Sequence, residues 1–363
     1  MTTTASSPQH RAAEAFVPIG SIVSIGTLDG GLINDSFLVA TERFRLVLQR
    51  ISRQAFPKPE LIMENLRVLL MHAHDSRIAL RLPAIVPTRD GRDYWVDADG
   101  GFWRALEFVA NTRAPERLEN LAQARGVGSA LGRFHAMVHD LDPRRLHVTR
   151  ERFHDTPWYY ARFTAVAEQA SPIPADPALQ FCIDFARARA SRVSSLEDAR
   201  RRGELSMHVI HGDPKLENVL FDVVSGEAVS LIDLDTVQPG LIHYDLGDCL
   251  RSACNPAGET PPDPASARFD LDICRALLDS YFVETRAFLT DNDLRHLPDA
   301  IRLIPLELGL RFLTDHLQGD RYFKVKWRGH NLHRARTQFV LTESIETQME
   351  KIRALIDMLA RAN

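Results

Sequence analysis

The chain has 363 residues, of which 45% are hydrophobic and 25% charged, and its formal net charge is −4. That balance excludes a disordered tail, a collagen-like fibre and a disulfide scaffold, and the absence of a basic surplus argues against a nucleic-acid partner. The length predicts about two domains. Four cysteines without a CxxC pair suit reduced thiols, no apolar run approaches the ~18 residues of a membrane span, and the opening MTTTASSPQHRAAEAF lacks a signal-peptide core. The expectation is a cytoplasmic protein with no membrane partner.

In chain order, residues 1–15 read as a flexible leader. From Ile22 the text turns to strands, SIVSIG, SFLVA and FRLVLQ, with turns at Gly30-Gly31 and TER. PELIMENLRVLLMHAHD places apolar residues at helical spacing behind Pro59. RLPAIVPT, DYWVD and GGFWRALEFV read as further strands, so residues 16–110 form a small β-rich lobe. The polar stretch ANTRAPERLENL reads as a hinge. Residues 111–363 then read as a larger, mostly helical lobe, interrupted by a strand-turn-strand insert over 207–235. FDLDICRALLDSYFVETRAFL and LPDAIRLIPLELGLRFLTDHLQG are its clearest helices.

The insert carries the chemistry. It reads MHVIHGDPKLENVLFDVVSGEAVSLIDLDTVQPG, with His211, Asp213, Lys215 and Asn218 before an apolar strand, and Asp233 and Asp235 at the end of the next. Phosphoryl transfer asks for such parts. Asp213 suits acceptance of a proton from an attacking hydroxyl. Asn218 and Asp233 are oxygen ligands of the kind Mg2+ prefers, with Asp235 a third candidate. Lys215, one of only five lysines in the chain, can neutralise charge on the phosphoryl group. There is no GxxxxGK, so the chain is not a P-loop protein.

This segment resembles the catalytic loop and metal-binding segment of the aminoglycoside phosphotransferase family, with Lys215 where that family usually has a second histidine. GGLINDSF, VLQRI, IDLDTVxPGLxxYDLGD and LELGLRFLTDHLQGDRYFKV resemble its N-acetylhexosamine 1-kinase branch, except that Leu32 stands where the branch often has a histidine. The resemblance runs in blocks from about residue 25 to about residue 330. It implies an α+β, bilobal, protein-kinase-like fold and ATP- and Mg2+-dependent phosphorylation of a small-molecule hydroxyl. The implied acceptor is the anomeric hydroxyl of an N-acetylhexosamine sugar.

The resemblance also implies a nucleotide site. The loop containing Gly30, Gly31 and Asn34 would cover the phosphates. No lysine occurs before Lys58, so the third strand offers Gln49 or Arg50, of which strand alternation lets only one face the cleft. Glu64 is a candidate partner for Arg50 or a solvated helix residue. Backbone groups of the hinge at Glu107 and Val109 would hold the adenine. In the large lobe, Arg311 and Tyr322 would line the sugar site, with Trp327 a second stacking candidate and Asp315 a possible ion-pair partner for Arg311. His135 and His139 read as structural, and Asp245 and Asp248 as braces of the catalytic loop.

Two other readings compete. One is an aminoglycoside, choline or homoserine phosphotransferase of the same fold, although the stretch RYFKVKWRGHNLHRAR is basic, unlike a pocket for a polycation. The other is a non-catalytic pseudokinase, which would be expected to have lost Asp213, Asn218 or Asp233.

Overall fold

The computed structural model describes residues 7–17, 21–28, 33–170 and 176–362. Gly30, Gly31 and Leu32 lie outside the described residues.

Among the described residues the first element is helix α1, Pro8–Phe16, inside the stretch that reads as a flexible leader, and its first turn is capped by Ser7. Apolar residues spaced along it decide this: Ala12, Ala13 and Phe16, with Val17, are buried against the sheet that follows. Filling that site with Phe16 is worth roughly 1.5–3 kcal/mol, enough to hold a short helix that would be marginal alone.

Strands β1 (Ile22–Leu28), β2 (Asp35–Thr41) and β3 (Arg45–Ile51) form an antiparallel meander. Helix α2, Pro59–His74, begins with proline at its first position. Short strands β4 (Ile85–Val86) and β5 (Trp95–Val96) flank β6 (Phe102–Glu107), and the main sheet order is β1-β2-β3-β6-β4. Alternation gives this sheet two unlike faces. Leu46, Leu48, Trp103 and Ala105 pack under α1, whereas Ile51, Phe102 and Leu106 join the core shared with the large lobe.

The crossing between lobes is short. After Glu107, strand β7 (Thr112–Arg113) already pairs with a strand of the large lobe. That lobe is built on helices α3 (Leu121–Val138), α4 (Thr156–Gln169), α5 (Pro177–Arg187) and α6 (Ser195–Arg201). The insert follows as β8 (His208–Ile210), the hairpin β9 (Val219–Asp222) and β10 (Ala228–Leu231), and β11 (Gln238–Gly240), which returns to pair with β8. Helices α7 (Ile242–Ala253), α8 (Leu271–Thr285), α9 (Asp291–Leu317), α10 (His330–Thr347) and α11 (Met349–Ala362) complete it. The α9 pattern is longer than its apolar text suggests. A capping box of Thr290 and Asp293 starts it upstream, and it runs through Pro298 and Pro305, each of which forfeits one backbone hydrogen bond. No helix among the described residues is long and apolar enough to cross a membrane.

Candidate active site

The centre of the cleft is the turn after β8. Gly212 has φ +87°, and a Cβ there would meet the Thr236 carbonyl oxygen at 2.6 Å, so the position requires glycine. Helix α7 holds the turn in place. The two carboxylate oxygens of the buried Asp245 accept the backbone N–H groups of His211 (2.7 Å) and Gly212 (2.8 Å), and one of them also meets His135 Nε2 at 2.9 Å. Ser252 Oγ accepts the Leu216 N–H at 2.9 Å. His135 and Asp245 are therefore supports of the loop. Asp248 is tied to Arg251 at 2.7 Å.

Beyond this braced turn stand the predicted reacting groups. Lys215 Nζ lies 3.3 Å from Asp213 Oδ2. Burial works to raise the Asp213 carboxyl, but Lys215, His211 and Arg251 outweigh it and hold the group below the usual carboxylate range. Asp213 in turn holds the lysine protonated, above its ordinary value, against burial. Asn218 donates its amide to the Asp213 carbonyl oxygen at 2.7 Å, which leaves Oδ1 as its free ligand atom. The Ile232 N–H bonds the Asn218 carbonyl at 3.0 Å, setting Asp233 across from Asn218. Asp233 has left-handed backbone, φ 65°, an uncommon state for a residue with a side chain.

Asp233 accepts no side-chain hydrogen bond among the described residues. Its carboxyl is pushed up to about 7, first by burial and then by the carboxylates of Asp235 and Asp213. A divalent cation suits such a group, since it would supply the missing positive charge, with Asn218 Oδ1 as a second oxygen. Asp235, the third predicted ligand, is engaged elsewhere. One oxygen pairs with the buried Arg104 of β6 and the other accepts Asn34 Nδ2 at 2.6 Å. With both oxygens taken by nitrogen donors, Asp235 is a clamp between the lobes.

The small lobe decides between Gln49 and Arg50. Gln49 faces the cleft and accepts Arg104 Nε (3.0 Å) and Nη2 (2.7 Å), while its own amide donates to Ser36 at 3.1 Å. Arg50 is exposed on the opposite face, 5.8 Å from the Trp103 ring centroid, so it is not a cleft residue. Glu64 pairs with His147 at 2.8 Å instead of Arg50. At the hinge, the N–H and the side chain of Glu107 are engaged within the small lobe: the N–H bonds the Ala84 carbonyl at 2.8 Å and the side chain pairs with Arg81. The Val109 carbonyl accepts the Thr112 hydroxyl at 2.8 Å, while its N–H has no partner among the described residues.

Between the 148–162 stretch, the end of α9 and the residues before α2 lies a cavity of about 440 Å³, lined by Lys58, Arg150, Trp158, Tyr159, Arg311 and Tyr322 among others. Sequence reasoning found Arg311 and Tyr322 but missed Arg150, Trp158 and Tyr159. No spacing marks them, because they come from the loop after α3 and the start of α4. Arg150 donates to the Tyr322 hydroxyl at 2.5 Å. Arg311 has no ion pair with Asp315, whose oxygens instead accept the N–H groups of Arg321, Tyr322 and Phe323 at 2.9–3.0 Å. The Arg311 guanidinium lies 5.3–5.6 Å from the rings of Phe153, Tyr159 and Phe323. Burial and the neighbouring Arg311 pull the Arg150 guanidinium below its ordinary value. Both arginines feel the Asp213 charge, and His154 ties this side to the turn by bonding the Gly212 carbonyl at 2.9 Å. Trp327 stacks on His330, with ring centroids 3.9 Å apart, and does not line the cavity.

A β-rich lobe, a helical lobe and an HxD turn facing an aspartate after a hairpin define the class: a phosphotransferase of kinase-like fold. The chain belongs to the phosphotransferase enzyme family, whose model matches residues 24–300. Among solved structures it is similar to an aminoglycoside phosphotransferase from Alicyclobacillus acidocaldarius, at 15% identity and a TM-score of 0.68 over 97% of both chains. It is also similar to a microcompartment-associated aminopropanol kinase, at 20% identity, TM-score 0.59, over 90% of this chain and 93% of the other. A spectinomycin phosphotransferase in complex with ADP and spectinomycin matches at 12% identity, TM-score 0.59, over 91% and 94%. At these identities the likeness establishes the shared fold.

Proposed function

We propose that the protein transfers the γ-phosphoryl group of ATP, with Mg2+, to the anomeric hydroxyl of a free N-acetylhexosamine, forming a sugar 1-phosphate. The single observation that carries the acceptor class is the cavity whose Arg150 and Arg311 feel the Asp213 charge, which offers guanidinium forks and aromatic faces. Sugars present apolar C–H faces that pack on rings and oxygens that accept from a planar donor. A volume of about 440 Å³ lies within the usual range for small-molecule sites, about 300–1,000 Å³. A polycationic aminoglycoside, or a choline-like cation, would meet Lys58, Arg150 and Arg311 at a Coulombic cost.

In this reading Asp213, ionised at neutral pH, orients the attacking hydroxyl and takes its proton. Lys215 holds positive charge where the phosphoryl oxygens gather it. Arg311 and Arg150 fix the acceptor so that one hydroxyl faces Asp213. Asn218 and Asp233 hold Mg2+, which when bound screens the phosphate charge. The hinge N–H of Val109 is the donor left for the adenine. A pseudokinase is disfavoured, because Asp213, Asn218 and Asp233 are all present on one side of the cleft. A reducing cytoplasmic setting belongs to the same proposal, in keeping with four buried free cysteines.

A second reading has a specific observation behind it. Arg150 and Arg311 line the cavity without a carboxylate partner among the described residues, which would also suit a hydroxy amino acid such as homoserine. The test is ATP turnover with N-acetylglucosamine and N-acetylgalactosamine, their 1-O-methyl glycosides, homoserine, ethanolamine and an aminoglycoside, with products read by phosphorus NMR. The free sugars are expected to react and the glycosides to fail. Equal turnover of a methyl glycoside overturns the anomeric assignment, and turnover confined to homoserine or a cationic acceptor overturns the sugar.

A further inference from the structure

Kinase chemistry places a cation from the small lobe against the nucleotide phosphates, ordinarily a lysine of the third strand. In this chain β3 turns the neutral Gln49 to the cleft and Arg50 away from it. Other cations of the sheet region are already engaged: Arg45 lies over the Phe108 ring and Arg53 pairs with Glu60. Arg104 is different. It stands directly opposite Gln49 on β6 and its side chain is fully buried.

Arg104 is held from both lobes. Gln49 accepts Nε and Nη2, and Asp235 of the large lobe pairs with Nη2. Asp235 also gathers Asn34, whose own oxygen accepts the Ser52 N–H at 2.9 Å. The assembly therefore lies two residues from Asp233, close enough for the Arg104 charge to act on that carboxylate. One guanidinium nitrogen, Nη1, is buried with no acceptor among the described residues. Buried donors are almost always paired, and an orphan on a cation is costly. In a plane fixed by three other bonds, Nη1 is the donor that retains capacity for a further acceptor. A planar fork gives two bonds to Gln49, one to Asp235 and still keeps Nη1 in a fixed direction, whereas a lysine offers three rotatable donors on a single atom.

We propose that Arg104 is the small-lobe cation that binds the nucleotide phosphates, standing on β6 in place of the β3 lysine, with Gln49 and Asp235 as positioning residues that aim its Nη1. The inference rests on the kinase reading above.

The test uses the full chain and binding rather than turnover. Calorimetric titration with ADP and with adenosine, in EDTA so that no metal contributes, compares wild type, Arg104→Gln and Arg104→Lys. Glutamine keeps a donor for Asp235 and removes the charge. Wild type is expected to prefer ADP over adenosine. In Arg104→Gln, ADP binding should weaken by about tenfold or more while adenosine binding stays within about twofold, and Arg104→Lys should fall between. An undiminished preference for ADP in Arg104→Gln overturns the proposal, as does parallel weakening of adenosine, which would mark a structural role. If Arg104→Gln does not fold, Arg104→Lys decides by the same criterion: loss confined to ADP supports, and none overturns. Wild-type chain that binds none of ADP, ATP, GDP and GTP would instead sink the kinase reading itself.

Discussion

The two halves of the cleft are built differently. The catalytic half, residues 211–235, is one contiguous stretch whose groups sit on a turn, a hairpin and the turn after it. Its main supports reach it from helix α7, through Asp245 and Ser252, with His135 of α3 behind Asp245 and His154 on the Gly212 carbonyl. The acceptor half is assembled from three distant stretches, around Lys58, Arg150–Tyr159 and Arg311–Tyr322, and its arginines lean on aromatic rings rather than on carboxylates. Chemistry common to many acceptors stays local and rigid, whereas the selecting surface is spread over loops and helix ends that can change independently. A contiguous half predicts that damage there stops catalysis; a dispersed half predicts that damage there changes which acceptor binds.

The largest effect sharpens that contrast. Asp213→Asn should lower kcat by about 10²–10⁴-fold while nucleotide affinity stays near wild type, since the turn is held by Asp245 and not by Asp213. Steady-state kinetics with a nucleotide titration would check it, and near-normal kcat would break the assignment.

An intermediate effect addresses the acceptor half. Arg311→Met and Arg150→Met each remove a charged donor and keep apolar bulk against the rings. Each should raise the acceptor KM by about 10–100-fold, with the ATP KM within about twofold of wild type. A variant that lowers kcat at saturating acceptor and leaves KM alone would dissolve the division between halves.

The smallest effect probes the bracing helix. Burial pushes His243 on α7 down to about 4, and its ring meets the Asp293 carbonyl at 2.9 Å. The folded value lies below the ordinary 6.5, so this contribution is complete above pH 6.5. It is lost as pH falls from there toward 4, where the unfolded chain takes the proton and the folded one does not. His243→Gln should therefore flatten the acid limb of Tm against pH by about 2–4 °C across that window. Parallel acid limbs in the two proteins would refute it.

How much of this was legible depends on sequence distance. The strands over 22–51, helix α2 and the hairpin of the insert follow from apolar period and turn residues that lie side by side in the text. The leader did not read as α1, because its buried apolar residues are two small alanines, Ala12 and Ala13, and the single Phe16, and only the sheet beneath makes them a face. Asp235 read as a metal ligand because it sits at the right spacing. Arg104 and Asn34, 131 and 201 residues away in sequence, take its oxygens.

By itself the sequence determined the kinase-like class, since HGDPKLEN and IDLD place a base, a cation and two oxygen ligands within one stretch, and local geometry does the rest. Tertiary structure decided which β3 side chain turns to the cleft, which residue clamps the lobes and which side chains wall the cavity. Those choices depend on which face of β3 and β6 turns inward and on where α4, α9 and the 148–154 loop meet. Burial and pairing across more than 100 residues settle such matters, and no local pattern encodes them.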